Sequence, residues 1–85
     1  MENSHYRTSD SALATYLILK GYSINLIDYT QPRFDYVFNG EVSSIQEQVT
    51  IYLSGNALVD PSGFFKINRR LMRVVKSQSQ WGDAI

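Results

Sequence analysis

Arg33-Phe34-Asp35-Tyr36-Val37-Phe38-Asn39-Gly40 is the stretch that decides the fold. From residue 34 to residue 38 it alternates, so Phe34, Tyr36 and Phe38 fall on one face of an extended strand. Three aromatics on one face suit a pleated, half-buried surface. Asn39-Gly40 is turn chemistry and ends the run. Immediately upstream, Tyr22-Ser23-Ile24-Asn25-Leu26 alternates in the same way, with Tyr22, Ile24 and Leu26 on one side and Ile27, Asp28 and Tyr29 extending it. Gln31-Pro32 separates the two runs, and proline suits a turn because its φ is fixed. The pair predicts an antiparallel hairpin whose apolar face packs on a helix.

Working outward, that helix lies before the hairpin. Thr8-Ser9-Asp10 supplies side-chain oxygens for the first free backbone N–H groups of a segment running from Ser11 to Lys20. Gly21 suits the left-handed position just past its end. Apolar residues fall nearly all round this helix, the pattern of a central, buried one. His5-Tyr6-Arg7 reads as a short edge strand. After the hairpin, Ser44-Ile45-Gln46-Glu47 has the spacing of a capping box. Val42, Ile45, Val49, Tyr52 and Leu53 then recur on one helical face until Ser54-Gly55-Asn56 stops it. Ala57-Leu58-Val59 leaves room for one added strand. Asp60-Pro61 is a strong helix start, and the last helix extends to about Lys76. The expected fold is α+β, in the order β-α-β-β-α-(β)-α, with two or three helices on one face of a small antiparallel sheet.

With 85 residues, one domain is expected, spanning residues 1–76 with a flexible C-terminal tail at 77–85. A core this small leaves a stability of only a few kcal/mol. There is no Cys to add a disulfide or a thiolate metal site. The first residues have no apolar h-region, and no apolar run approaches the roughly 20 residues that span a bilayer. A cytoplasmic location without membrane association is therefore expected, and the chain is taken as a monomer.

Catalytic chemistry is hard to find. The single His, His5, has no local partners of the kind a metal site or a general base requires. Asp28 and Asp35 can face each other across the hairpin, and paired carboxylates can do acid–base work or hold a hard cation. Two solvated side chains on the open face of the sheet is the better account. Neither a phosphate-binding glycine loop nor a nucleophile elbow occurs. A non-enzymatic protein without metal or cofactor is expected.

The charge is unevenly spread, although the formal net charge is zero. Residues 1–61 hold three Lys or Arg against seven acids, a net of −4, and residues 62–85 hold five against Asp83 alone, a net of +4. The five are Lys66, Arg69, Arg70, Arg73 and Lys76, all on the last helix. At 100° per residue they occupy one arc, while Phe64, Phe65, Ile67, Leu71, Met72, Val74 and Val75 occupy the other. The cationic stripe is about 15 Å long and contains no acid. The stripe is either a solvated helix face, where cations also suit the C-terminal half through the macrodipole, or a surface whose five like charges are offset by phosphates, an acidic partner surface or the protein's own acidic half. Asn68 falls inside the apolar arc, where it needs a bonding partner or marks the edge of the packed face. Trp81, beyond a polar spacer, either folds back on the domain or, with Ile85, anchors the tail on a partner.

Tyr6-Arg7-Thr8-Ser9-Asp10, Ala14 to Tyr22, Phe34 to Phe38, and Leu58-Val59-Asp60-Pro61 with Phe64 and Phe65 form a pattern of caps, turns and core positions. Over roughly residues 6–76 it resembles a family of small domains of unknown function from bacteria and their phages. The resemblance implies a fold, and a DNA-associated or host-interaction setting, without catalytic residues to carry over. The leading functional expectation is an accessory protein that binds nucleic acid or a ribonucleoprotein through Lys66, Arg69, Arg70, Arg73 and Lys76, with little sequence specificity. The alternative is a protein–protein adaptor or small inhibitor that docks on a larger host or phage complex.

Overall fold

The computed structural model describes residues 5–30 and 32–83, and the following statements refer to those. The element order is β1 (His5–Thr8), α1 (Ser11–Leu19), β2 (Ser23–Asp28), β3 (Asp35–Asn39), α2 (Val42–Leu53), α3 (Pro61–Lys76) and a closing 3₁₀ turn (Trp81–Asp83). The sheet order is β1-β3-β2, and both pairings are antiparallel. The aromatic strand β3 is therefore central, with β1 and β2 parallel to each other on its two sides and joined by α1. This is the small α+β fold that the sequence predicts. Ala57-Leu58-Val59 does not join the sheet and forms the irregular link into α3.

Core assembly follows from β3. Tyr36 and Phe38 are fully buried on the helix-facing side, with Tyr6 and Ile24 flanking Phe38, and Thr8 and Ile27 flanking Tyr36. Phe34 packs its ring edge-on to Tyr36, with centroids 5.2 Å apart. On β2 the regular alternation breaks. An irregularity between Ile24 and Leu26 inserts one extra residue. Ile24 and Ile27 thus face inward, while Leu26 is turned to the open side and is 43 % exposed. The expected Tyr22-Ile24-Leu26 face is corrected accordingly, since a bulge shifts every later side chain to the other face.

α1 has the buried character that its composition predicts, with five consecutive buried residues, Leu13 to Leu17. Asp10 caps it by accepting from Ala12 N at 3.0 Å and Leu13 N at 3.1 Å. Its polar atoms are satisfied inside the core: Tyr16 donates to Gln48 Oε1 at 2.8 Å, and Ser11 shares a 2.7 Å bond with the Tyr36 hydroxyl. Burial raises the Tyr36 pKa above its ordinary value. All three helices end in the same backbone turn, with Gly21, Gly55 and Gln78 in the left-handed region. The amide beyond each reaches back to the helix, Tyr22 to Leu17, Asn56 to Ile51 and Ser79 to Val74. Gln78 carries this strained role without glycine's freedom, which costs about 1 kcal/mol.

α2 corrects a second expectation. Its N-cap is Glu41, not Ser44, and no side chain caps it. Ser44 sits inside the first turn, hydrogen-bonded to the Tyr22 hydroxyl. A long-range partner has taken the oxygen that a capping box would use. Of the predicted α2 face, Ile45 is buried and Leu53 is 73 % exposed. No helix among the described residues is long and apolar enough to cross a membrane.

Candidate nucleic-acid interface

α3 carries the candidate surface. Asp60 starts it, accepting from Gly63 N at 2.8 Å, and Pro61 occupies the first turn. Leu71 and Val74 are buried, and Val75 packs against the same core from its edge. Asn68 has the partner its position demands. Its Oδ1 lies 3.1 Å from the hydroxyl of buried Thr15 on α1, which is also 2.9 Å from the Ser11 carbonyl. The bond ties α3 to α1 and marks the limit of the packed face.

Phe65 and Met72 lie beyond that limit. The sequence assigns both to the apolar arc, but they are 66 % and 38 % exposed. The packed face is narrower than the apolar composition suggests, because α1 is the only helix pressed closely against α3. On the helical wheel Phe65 and Met72 stand about 20–60° from Arg69 and Lys76 at 100° per residue. They adjoin the cationic stripe rather than the core. That position was the signal available in the sequence.

Lys66, Arg69, Arg73 and Lys76 are exposed along the outer face. Among the described residues none of them forms an ion pair. Arg73 and Lys76 lie in the last turn, where the helix dipole favours cations. Arg70 behaves differently. It is only partly exposed, and its guanidinium carbon lies 4.3 Å from the centroid of the Trp81 ring. A cation at this distance is attracted by the ring quadrupole. The stripe that faces solvent thus has four cations, with the fifth held over the tail.

The tail segment lies against the domain as far as it is described. The Gln80 amide accepts from Ile27 N at 2.7 Å and donates to Ile27 O at 2.9 Å. It thus bonds to the free edge of β2 as a neighbouring strand would. Tyr29 donates to Ser79 O at 2.6 Å. Trp81 packs beside the core, so of its two expected locations it occupies the one on the domain. Ile85, its expected companion in docking, lies outside the described residues.

The other sequence candidates are accounted for by their neighbours. Asp28 and Asp35 are register partners across the hairpin. Arg7 reaches both, with Nη2 2.6 Å from Asp28 and Nε 3.3 Å from Asp35. Asp28 also accepts from the Thr30 hydroxyl at 2.5 Å and from Thr30 N at 3.0 Å. The Thr30 bonds, then Arg7, lower the Asp28 pKa to about 2. With Arg7 bonded to both carboxylates, the pair is not an open cation site. His5 is exposed on β1 opposite Asn39. Among the described residues no group of three or more His, Cys, Asp or Glu could hold a metal ion. Comparison with known proteins brings no further identification: no family model, no curated protein and no solved structure matches the chain.

Proposed function

We propose that this protein is a non-enzymatic accessory protein that binds nucleic acid, free or within a ribonucleoprotein, through the outer face of α3. One observation carries this reading: four cations in a row have no acidic partner among the described residues. Among the described residues no acid pairs with them. Asp28 and Asp35 belong to Arg7, and Asp60 caps the start of α3. Phosphates are the natural complement of exposed Lys66, Arg69, Arg73 and Lys76. The stripe supplies charge without a cluster of hydrogen-bonding side chains aimed at base edges, so binding is expected to be strongly salt-dependent and weakly sequence-dependent. The adaptor reading has less support, since Trp81 is turned onto the domain.

Binding of labelled oligonucleotides at two salt concentrations tests the proposal. Four phosphate contacts on a single strand give roughly a 50-fold loss of affinity between 50 and 200 mM salt. Replacing Lys66, Arg69, Arg73 and Lys76 together by Gln should remove both the binding and its salt dependence. Absence of binding to any DNA or RNA at low salt would sink the proposal.

A further inference from the structure

We infer that α3 selects single-stranded over duplex nucleic acid, with the Phe65 ring as a stacking platform for an unpaired base. The inference rests on the nucleic-acid reading above and names the strand state that this surface suits. Its basis is the edge of α3 that the core does not cover. Phe65, Arg69, Met72 and Lys76 follow one another at i, i+4, i+7 and i+11. That spacing keeps them on one side of the helix over about 16 Å. The row alternates an aromatic ring, a cation, a thioether and a cation, with Arg73 alongside on the same outer face.

A single strand presents the matching alternation, with an apolar base and a charged phosphate in every nucleotide. Aromatic side chains set in a cationic track are how such strands are held without regard to sequence, because every base has a π-face. Met72 adds a polarizable sulfur that favours contact with a flat ring. A duplex offers these groups much less. Its base faces are stacked and paired, and its outer surface is hydrated phosphate and sugar. A phenyl ring 66 % exposed beside phosphate-binding cations would find no base face there. Burial on the domain does not explain the ring either, since Asn68 and Thr15 already close the α1–α3 contact on that side.

The test compares oligo(dT), oligo(U) and a random-sequence DNA duplex on the full chain by fluorescence anisotropy, using wild type, Phe65→Ala and Phe65→Trp. Wild type should bind the single strands more tightly than the duplex. Phe65→Ala should lose about tenfold in single-strand affinity. It should keep the same salt slope, because no phosphate contact is removed, and its thermal midpoint should be unchanged. Phe65→Trp should retain or improve single-strand binding. Equal wild-type affinity for duplex and single strand, or an unaltered single-strand affinity of Phe65→Ala, overturns the inference while leaving the nucleic-acid proposal standing. Failure of wild type to bind either form overturns both.

Discussion

The open face of the sheet and the outer face of α3 both display arginine, and they use it in opposite ways. On the sheet, Arg7 extends across the central strand and bonds carboxylates on β2 and β3 at once. Its register partner Val37 is only 5 % exposed although it points away from the helices. The charges there are consumed within the fold. On α3, four cations have no acidic partner among the described residues, and an exposed phenyl ring lies beside them. The difference teaches where to look for function. A charge compensated by its own chain contributes to shape, whereas like charges left uncompensated leave their attraction available to something else.

The largest effect marks the outer bound of this comparison, a charge with neither water nor partner. Tyr36 is fully buried and bonded to Ser11. Tyr36→Lys should destabilise by more than about 4 kcal/mol, enough to unfold so small a domain. An unchanged thermal midpoint would mean that the other face of β3 is the inner one.

The direct way to break the comparison is to remove charge from each face in turn. Replacing Lys66, Arg69, Arg73 and Lys76 by Gln should leave the thermal midpoint within a few degrees of wild type or raise it, since like-charge repulsion is relieved. Arg7→Ala should lower the midpoint and leave nucleic-acid affinity nearly unchanged. Thermal melts and binding isotherms on the two variants check this. A reversed pattern, with Arg7 needed for binding and the helix cations for stability, would exchange the roles of the two faces.

A smaller effect concerns Arg70, the one stripe residue that is partly withdrawn. With Arg70 stacked on its ring and the core beside it, Trp81 should emit blue-shifted and resist iodide in the isolated protein. Trp81→Ala should then cost about 1–2 kcal/mol. Water-like, readily quenched emission would free the tail for a partner and return Arg70 to the exposed stripe.

The smallest effect is at low pH. Asp28 titrates near 2 in the folded chain, below its ordinary 3.8. A lowered folded-state pKa adds stability above the unfolded value, and that contribution disappears as pH falls from about 4 towards 2. Thermal midpoints measured across that window should fall more steeply for wild type than for Asp28→Asn. Equal slopes would show that the Arg7–Asp28–Asp35 set adds nothing, as exposed ion pairs sometimes do.

What the sequence determined by itself is the set of features settled within one turn or one strand. Asp10 and Asp60-Pro61 start helices and Gly21 and Gly55 end them, because each satisfies backbone groups only a few residues away. Asp35-Tyr36-Val37-Phe38 lies in a strand because its period is two, and the cations of α3 share an arc because the helical period is fixed. Tertiary structure decided whatever depends on a partner far along the chain. Asn25 became an extra residue in β2, so Leu26 and Ile27 exchanged faces. Ser44 left its capping role for Tyr22, and Gln80 joined the sheet edge at Ile27, 53 residues away. Local periodicity cannot see such contacts, since each trades a short-range option for a bond whose partner arrives only with folding. The exposure of Phe65 belongs to the same class. Its wheel position is written in the sequence, but how wide a stripe of α3 is covered depends on how many elements press against it, and only the packed molecule sets that number.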